Sequence, residues 1–424
     1  MPSIVGRTFS ALGHPGFRRF IIGQAISLSG TWLQLAAVRW LVYDISKSES
    51  DLGVLDVASL LPGLVVGLIA GAIADRVTPR KMIIVMECTQ MGLALLLALL
   101  VWIGRFGFWQ MATILAFARI CVTFELPSRQ VFFYELVGPE ILPNAIALNS
   151  GLFNATRVIG PALAGVCLAW LGAAGCFFLN GVSFLAAIYA VASIRLERPK
   201  RAEPHASFTA REVLAGLRYL NEDRRLRAVF LLVSFFGIVG MGYDAMIPAY
   251  TRRAIKSDVS GYSILLACSG VGATLGAIFI ASLPRQRRRD YWAPIGMLIF
   301  ALSLRTAAWI PAWSGSPNLM FAAATVCLLG AGFGAVVFYA SCQTIVQLNS
   351  PEHLRGRIMG IWMIAFSGSV SLGSLWTGKA SEWFGLVPVL GTTAVCCGAA
   401  ALLVVATGVL APRDRAGRGP RGVP

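Results

Sequence analysis

Twelve apolar stretches, each about 20 residues long, follow one another along the chain. They run roughly over 19–43, 52–74, 82–104, 108–127, 145–170, 174–194, 227–249, 260–283, 292–313, 318–347, 357–383 and 386–411. At 1.5 Å of rise per residue, each can cross a hydrocarbon core of about 30 Å as a helix. Lipid offers no partner to backbone N–H and C=O groups, so continuous apolar runs of this length span only as helices. Of the 424 residues, 57% are hydrophobic and 13% are charged. Ordinary soluble domains carry about 25% charged residues, and disordered chains combine low hydrophobicity with high charge; neither describes this sequence. The fold expected is an all-α membrane protein with twelve transmembrane helices. The first stretch is too long for a signal-peptide core and lacks a cleavage site, so it is expected to remain in the mature chain.

The net charge is +16, but no basic–aromatic array of a nucleic-acid binder accompanies it. Lys and Arg instead concentrate in alternate loops. The set containing the N-terminal leader, 75–81, 128–144, 195–227, 285–290, 349–357 and the tail holds 26, against 5 in the opposite set. Cytoplasmic loops carry the excess of Lys and Arg, which puts both termini in the cytoplasm. Arg252, Arg253 and Lys256 run against this locally. The three histidines, His14, His205 and His353, are scattered, and the nine cysteines lie almost wholly inside apolar spans without a CxxC pair. No metal, disulfide framework or cofactor is expected. No Ser-His-Asp or paired-carboxylate set stands out, so the chain is not read as an enzyme. Gly330, Gly332 and Gly334 lie within a span and read as helix packing. No ATP-binding motif is present, so any energy must come from a gradient.

The long polar segment 195–226 divides the chain into an N-terminal six-helix bundle, 1–194, and a C-terminal one, 227–424, with a short basic tail. A repeat relates them. Gly67, Gly71, Ala72, Ile73, Pro79 and Arg80 precede Gly272, Gly276, Ala277, Ile278, Pro284 and Arg285 by 205 residues. Gly160, Gly165 and Gly172 precede Gly373, Gly378 and Gly385 by 213. An even number of spans per half makes the repeats parallel, the arrangement of major-facilitator-type transporters with a site between the halves near the midplane.

Gly71, Asp75, Arg76 and Arg80, at the cytoplasmic end of span 2, resemble the signature loop of the major facilitator superfamily, with Thr78 and Pro79 where many members have Gly and Arg. The resemblance implies a latch holding the halves together on the cytoplasmic side. Gly151, Gly160, Pro161 and Gly165 in span 5 are similar to that superfamily's exporter motif, with the central spacing altered and Ala164 in place of a Gly. Small residues permit close helix packing, and Pro161 removes a backbone bond. Phe17-Arg-Arg-Phe20, Gly30-Thr-Trp-Leu-Gln34 and Pro127 through Asn149 look like the branch containing the enterobactin exporter and macrolide-efflux proteins. That resemblance implies alternating access and proton-exchange export.

Charges inside spans cost about 2.5–3.5 kcal/mol at a helix centre, so they should face protein or water. Arg39 and Asp56 lie at equal depth on consecutive antiparallel helices and are expected to pair; Glu87 and Arg119 form a second expected pair. Lys379 and Glu382, three residues apart, are expected to pair locally. Glu87, Asp56 and Asp244 are the candidates for proton coupling. Arg119, Arg157 and Arg305, with Trp32, are the candidates for a positive substrate cavity. Most of the tryptophans near span ends, a set that includes Trp40, read as interfacial, and one or two, such as Trp32, as candidate cavity residues.

These features point to an inner-membrane secondary transporter that works as a monomer, with the lipid bilayer, protons and a small organic substrate as its partners. The expected activity is proton-coupled export of an anionic, siderophore-like molecule. Efflux of a neutral antibiotic such as a macrolide, and a non-transporting scaffold or sensor with this fold, remain the alternatives.

Overall fold

In the computed structural model, the residues described are 10–74, 77–194, 218–283, 289–313, 315–351 and 354–410. Among them the long helices are α1 (Pro15–Ser46), α2 (Glu49–Ala74), α3 (Pro79–Trp102), a continuous stretch Phe108–Ser193, α7 (Arg224–Val239), α8 (Val259–Ser282), α9 (Arg289–Trp309), α10 (Pro317–Asn349), α11 (Arg355–Phe384) and α12 (Leu386–Thr407). Phe108–Ser193 breaks at Gly138 (φ 74°) and Gly172 (φ 66°). It therefore comprises α4 (108–137), α5 (139–171) and α6 (173–193). Positive φ is accessible to glycine without a Cβ penalty, so each break reverses the chain with no loop. Ten segments are long and apolar enough to cross a membrane, which is consistent with twelve spans once α2 and the breaks are counted.

Local sequence explains the helix starts. Proline stands in the first turn of α1, α3 and α10, where its missing N–H is not needed. The Asp223, Asp258 and Ser316 side chains accept backbone N–H bonds at the starts of α7, α8 and α10. Beyond Val239 the seventh span continues irregularly through the short turns Gly242–Ala245 and Ile247–Ala249 to a π-type turn at Tyr250–Ala254. Pro248 sits in this stretch and has no N–H to continue a regular ladder.

The sequence repeat becomes a packing symmetry. Gly160 seats α5 on α1, where an added Cβ would stand 2.9 Å from the Ser29 carbonyl oxygen. Its repeat-mate Gly373 seats α11 on α7, with a Cβ 2.8 Å from the Ile238 oxygen. Gly165 brings α5 to α8, against Ser263 Oγ at 2.9 Å; Gly378 brings α11 to α2, against Ser50 Cα at 3.0 Å. Gly172 and Gly385 (φ 84°) both turn the chain. Equivalent glycines thus make equivalent contacts within and between the halves, as close packing of small residues in lipid requires.

Phe17, Phe20, Phe132 and Phe133 form an aromatic core within the N-terminal half. Phe236, Phe300, Phe338 and Tyr339 form its counterpart in the C-terminal half. Trp102, Trp109, Trp170, Trp309 and Trp383 are exposed at helix ends on one side of the molecule, the side the loop charges assign to the outside and here called the outer end. Trp40 departs from its expected interfacial position: it is buried between the halves.

Candidate functional site: a charged clasp between the halves

Arg39 lies seven residues from the outer end of α1, and Asp56 seven residues into α2. At helical rise both stand about 10 Å below that end. Arg39 Nη2 approaches Asp56 Oδ2 at 3.3 Å, as the depth argument expects. The structure adds a second carboxylate: Arg39 Nη1 donates to Asp244 Oδ2 at 2.8 Å. The three side chains are 14%, 16% and 23% exposed. Arg39 is thus held by its own half and by the opposite one, and Asp244 reaches it from the irregular end of the seventh span.

Further bonds surround this centre. Trp40 stacks on Tyr262 with centroids 5.3 Å apart, and the Tyr262 hydroxyl donates to the Ala36 oxygen at 3.2 Å. Arg252 covers the Trp40 ring at 4.8 Å and reaches Asp44 at 3.5 Å. Arg253 meets Glu49 at 2.7 Å and donates to the Lys47 oxygen at 2.8 Å. Glu382 accepts from the hydroxyls of Ser48 (2.5 Å) and Ser50 (2.6 Å), with Lys379 3.9 Å from its other oxygen. The outer cations that oppose the charge rule therefore have a local use, because Arg252 and Arg253 bind acids of the other half.

Among the described residues, every hydrogen bond and ion pair between the halves lies at this outer end. Nearer the opposite end the bonds stay within one half. Arg225 pairs with Asp290, Arg129 with Glu87 and Glu125, and Arg80 donates to the Ala192 oxygen on α6. In this conformation the halves are clasped at the outer end, and no described polar bond joins them at the opposite end.

The remaining expected site residues divide. Arg119 does not pair with Glu87. Its stem packs on Gly63 of α2, it is exposed, and Asp56 and Arg39 are the charges facing it. Its guanidinium has no hydrogen-bond or ion-pair partner among the described residues. Glu87 instead meets Arg129, because α4 continues to residue 137 rather than ending near 127 and carries Glu125 and Arg129 into the protein. Trp32 is half-buried between α1 and α5, edge-on to Phe153 at 5.4 Å. Arg305 is exposed on α9, which packs against α10 and α12, and its Nη1 lies 3.9 Å from a Cβ placed at Gly391 of α12. It stands outside the clasp. Gly151 faces open space rather than a neighbouring helix. Gly71, Arg157 and Pro161 are helix positions whose side chains are not described, and Asp75 and Arg76 lie outside the described residues. The latch expected there is therefore represented only by Arg80.

Glu125, Arg129, Gln24, Gln90, Tyr262 and Glu49 belong to the polar groups that the sequence reading missed. The four-residue spacing of Glu125 and Arg129, which suits a helical ion pair, was the available signal.

Residues 6–416 match the family described as Transmembrane secretion effector. Over 384 residues the chain is 26% identical to the MFS-type transporter YfiS of Bacillus subtilis (strain 168), covering 88% of each chain. It is 22% identical to the staphyloferrin A transporter of Staphylococcus aureus (strain NCTC 8325 / PS 47), covering 89% of this chain and 93% of that one. It is 23% identical to the multidrug efflux pump Tap of Mycolicibacterium fortuitum, over 84% and 87%. The nucleoside transporter NupG has the same fold, with a TM-score of 0.72 at 12% identity over 94% of this chain and all of that one. So does a bacterial homolog of the lysosomal transporter Spinster, with a TM-score of 0.70 at 15% identity over 92% and 96%. A helical repeat clasped at one end, matched by one family over nearly its whole length, is a multi-pass membrane transporter: the chain belongs to the transmembrane secretion effector family of the major facilitator superfamily.

Proposed function

We propose that the protein is a proton-coupled exporter of a small anionic organic molecule, siderophore-like in its charge, working by alternating access. The moving units are residues 1–194 and 227–424, joined by the segment 195–226. The protein resides in a bacterial-type inner membrane with both termini cytoplasmic, and acts as a monomer.

The observation that carries this reading is Arg39 bound at once to Asp56 of its own half and Asp244 of the other. An anion arriving from the cytoplasmic side meets Arg119, the unpaired cation facing the same group, and competes with the two carboxylates for Arg39. Loosening Asp244 releases the outer clasp. Freed from Arg39 and facing outer water, Asp56 and Asp244 take up protons. Those protons are lost on the inner side when Arg39 reclaims the carboxylates. A buried guanidinium shared between resident carboxylates and a visiting anion couples the two movements, since each ligand biases one of two conformations by its differential affinity.

The test is flux in proteoliposomes under an imposed pH gradient, with organic anions as substrates. Proton-dependent movement that D56N and D244N both abolish is expected. Undiminished proton-dependent flux in both variants overturns the coupling. Efflux of a neutral antibiotic is the second reading, favoured by the similarity to the multidrug efflux pump Tap. It predicts transport unaffected by replacing Arg119. A scaffold predicts no flux at all.

A further inference from the structure

A second buried charge cluster lies deep in the N-terminal half, away from the clasp. Glu87 of α3 is fully buried, Glu125 of α4 nearly so, and Arg129 of α4 is 18% exposed. All three stand about 12–20 Å from the cytoplasmic ends of their helices. Arg129 Nη2 lies 3.0 Å from Glu87 Oε1 and 2.5 Å from Glu125 Oε1, and its Nε donates to Glu125 Oε1 at 2.6 Å. Gln90 Nε2 donates to Glu125 Oε2 at 2.9 Å. Gln24 Nε2, on α1, donates to Glu87 Oε1 at 2.9 Å.

Fully ionised, two carboxylates and one guanidinium leave a net charge of −1 on side chains of which both carboxylates are buried. Such a charge is costly, and a buried group neutralises instead. The bonding pattern identifies the uncompensated atoms. Both oxygens of Glu125 and Oε1 of Glu87 have donors. Glu87 Oε2 and Gln24 Oε1 are buried and have none. They are the second oxygen of a carboxyl and the carbonyl oxygen of the amide already bonded to that carboxyl. One proton on Oε2 makes it a donor to Gln24 Oε1. With the existing amide N–H bond to Oε1, this closes a cyclic acid–amide pair and leaves no orphan.

We propose that Glu87 is a proton-binding site, holding one proton at Oε2 against Gln24 and leaving Glu125 as the ionised partner of Arg129. Gln24 is the group facing it from α1, and Gln90 lies on its own helix. From α4 come Glu125 and Arg129, with the Cys121 thiol beside Glu125. Helix α6, which also packs here, carries no Asp, Glu, Lys or Arg, and Arg157 of α5 lies about 28 Å along its helix from Gly138, at a different level. Loss of the proton restores two opposed acceptors between α1 and α3 and a net charge of −1 on the cluster, so proton occupancy bears on how those helices pack.

The test is infrared spectroscopy of the purified full-length protein in lipid nanodiscs at neutral pH. A neutral carboxyl C=O band that shifts in D2O is expected in the wild type. E87Q should lose it and E125Q should keep it. E87Q supplies an N–H to Gln24 Oε1 and a carbonyl to its amide, so it should retain wild-type thermal stability. A band lost in E125Q but kept in E87Q overturns the proposal, as does the absence of any Glu87-dependent band. An E87Q protein that does not fold also overturns it, since a neutral isostere fits a site that is already neutral. The spectrum reads protonation rather than flux, so it stands or falls separately from the transport reading.

Discussion

Replacing Asp244 by Asn removes the charged half of the bond that ties Arg39 to the opposite bundle. The bond is 2.8 Å long and its side chains are 14% and 23% exposed, so solvent screens it weakly. Removing one member of a buried ion pair costs about 3–5 kcal/mol. Arg39 keeps Asp56 at 3.3 Å, and Asn can still accept one hydrogen bond, which together reduce the cost to about 2 kcal/mol. The bond exists only while the outer end is closed, so this cost falls on one conformation alone. At about 1.4 kcal/mol per factor of ten, the balance should move about 30-fold toward outer opening. Spin labels at Ile45, exposed at the outer end of α1, and Ser260, exposed at the start of α8, report the separation through pulsed electron–electron resonance distances. A population at longer distance should appear in D244N and be minor in the wild type. D44N removes two solvent-exposed pairs, to Arg252 at 3.5 Å across the halves and to Lys47 at 2.7 Å within one, each worth about 0–1 kcal/mol, and should leave the distribution nearly unchanged. Identical distributions in D244N and wild type, or equal effects of D244N and D44N, would refute the claim that Arg39 centres the clasp.

Three further outcomes follow from particular contacts. Arg119→Gln should weaken binding of an anionic substrate at least tenfold by equilibrium dialysis, while Arg305→Gln on the α9–α12 pair leaves it unchanged; equal effects would remove Arg119 from the site. Gly53→Val places a side chain against the α11 backbone, where a Cβ already stands 2.5 Å from Leu375 Cα, and should cost about 1–3 kcal/mol by overpacking, read as a lower melting temperature. Trp40→Ala removes the ring between Tyr262 and Arg252; buried aromatic truncations cost about 3–5 kcal/mol, so this variant should also show the longer outer distance.

The run length of apolar residues locates the spans closely, because the cost of exposing backbone to lipid is decided locally. Span 8 is expected at 260–283 and found at Val259–Ser282; span 11 is expected at 357–383 and found at Arg355–Phe384. The main departure is α4. Glu125, Pro127, Ser128, Arg129 and Gln130 read as the polar end of a span, yet the helix runs on to residue 137. Gln90 and Glu87 of α3 supply partners to Glu125 and Arg129, and a partner on another helix is invisible to a local measure of polarity. The Arg39–Asp56 pair was legible because a tight turn joins the two helices and depth alone brings the residues level. Asp244 was not, since 205 residues separate it from Arg39 and only the docking of the two halves brings them together.

The sequence by itself determined a helical membrane chain, its parallel duplication and the side on which its loop cations gather. Those properties follow from solvation of the backbone and of single charges, which act segment by segment. The tertiary structure decided which charges share a site, which end of the halves is closed, and that Glu87 meets Arg129 rather than Arg119. Pairing depends on distances of a few ångströms between helices far apart in the chain, and these are set by how the glycine faces pack rather than by the composition of any one helix.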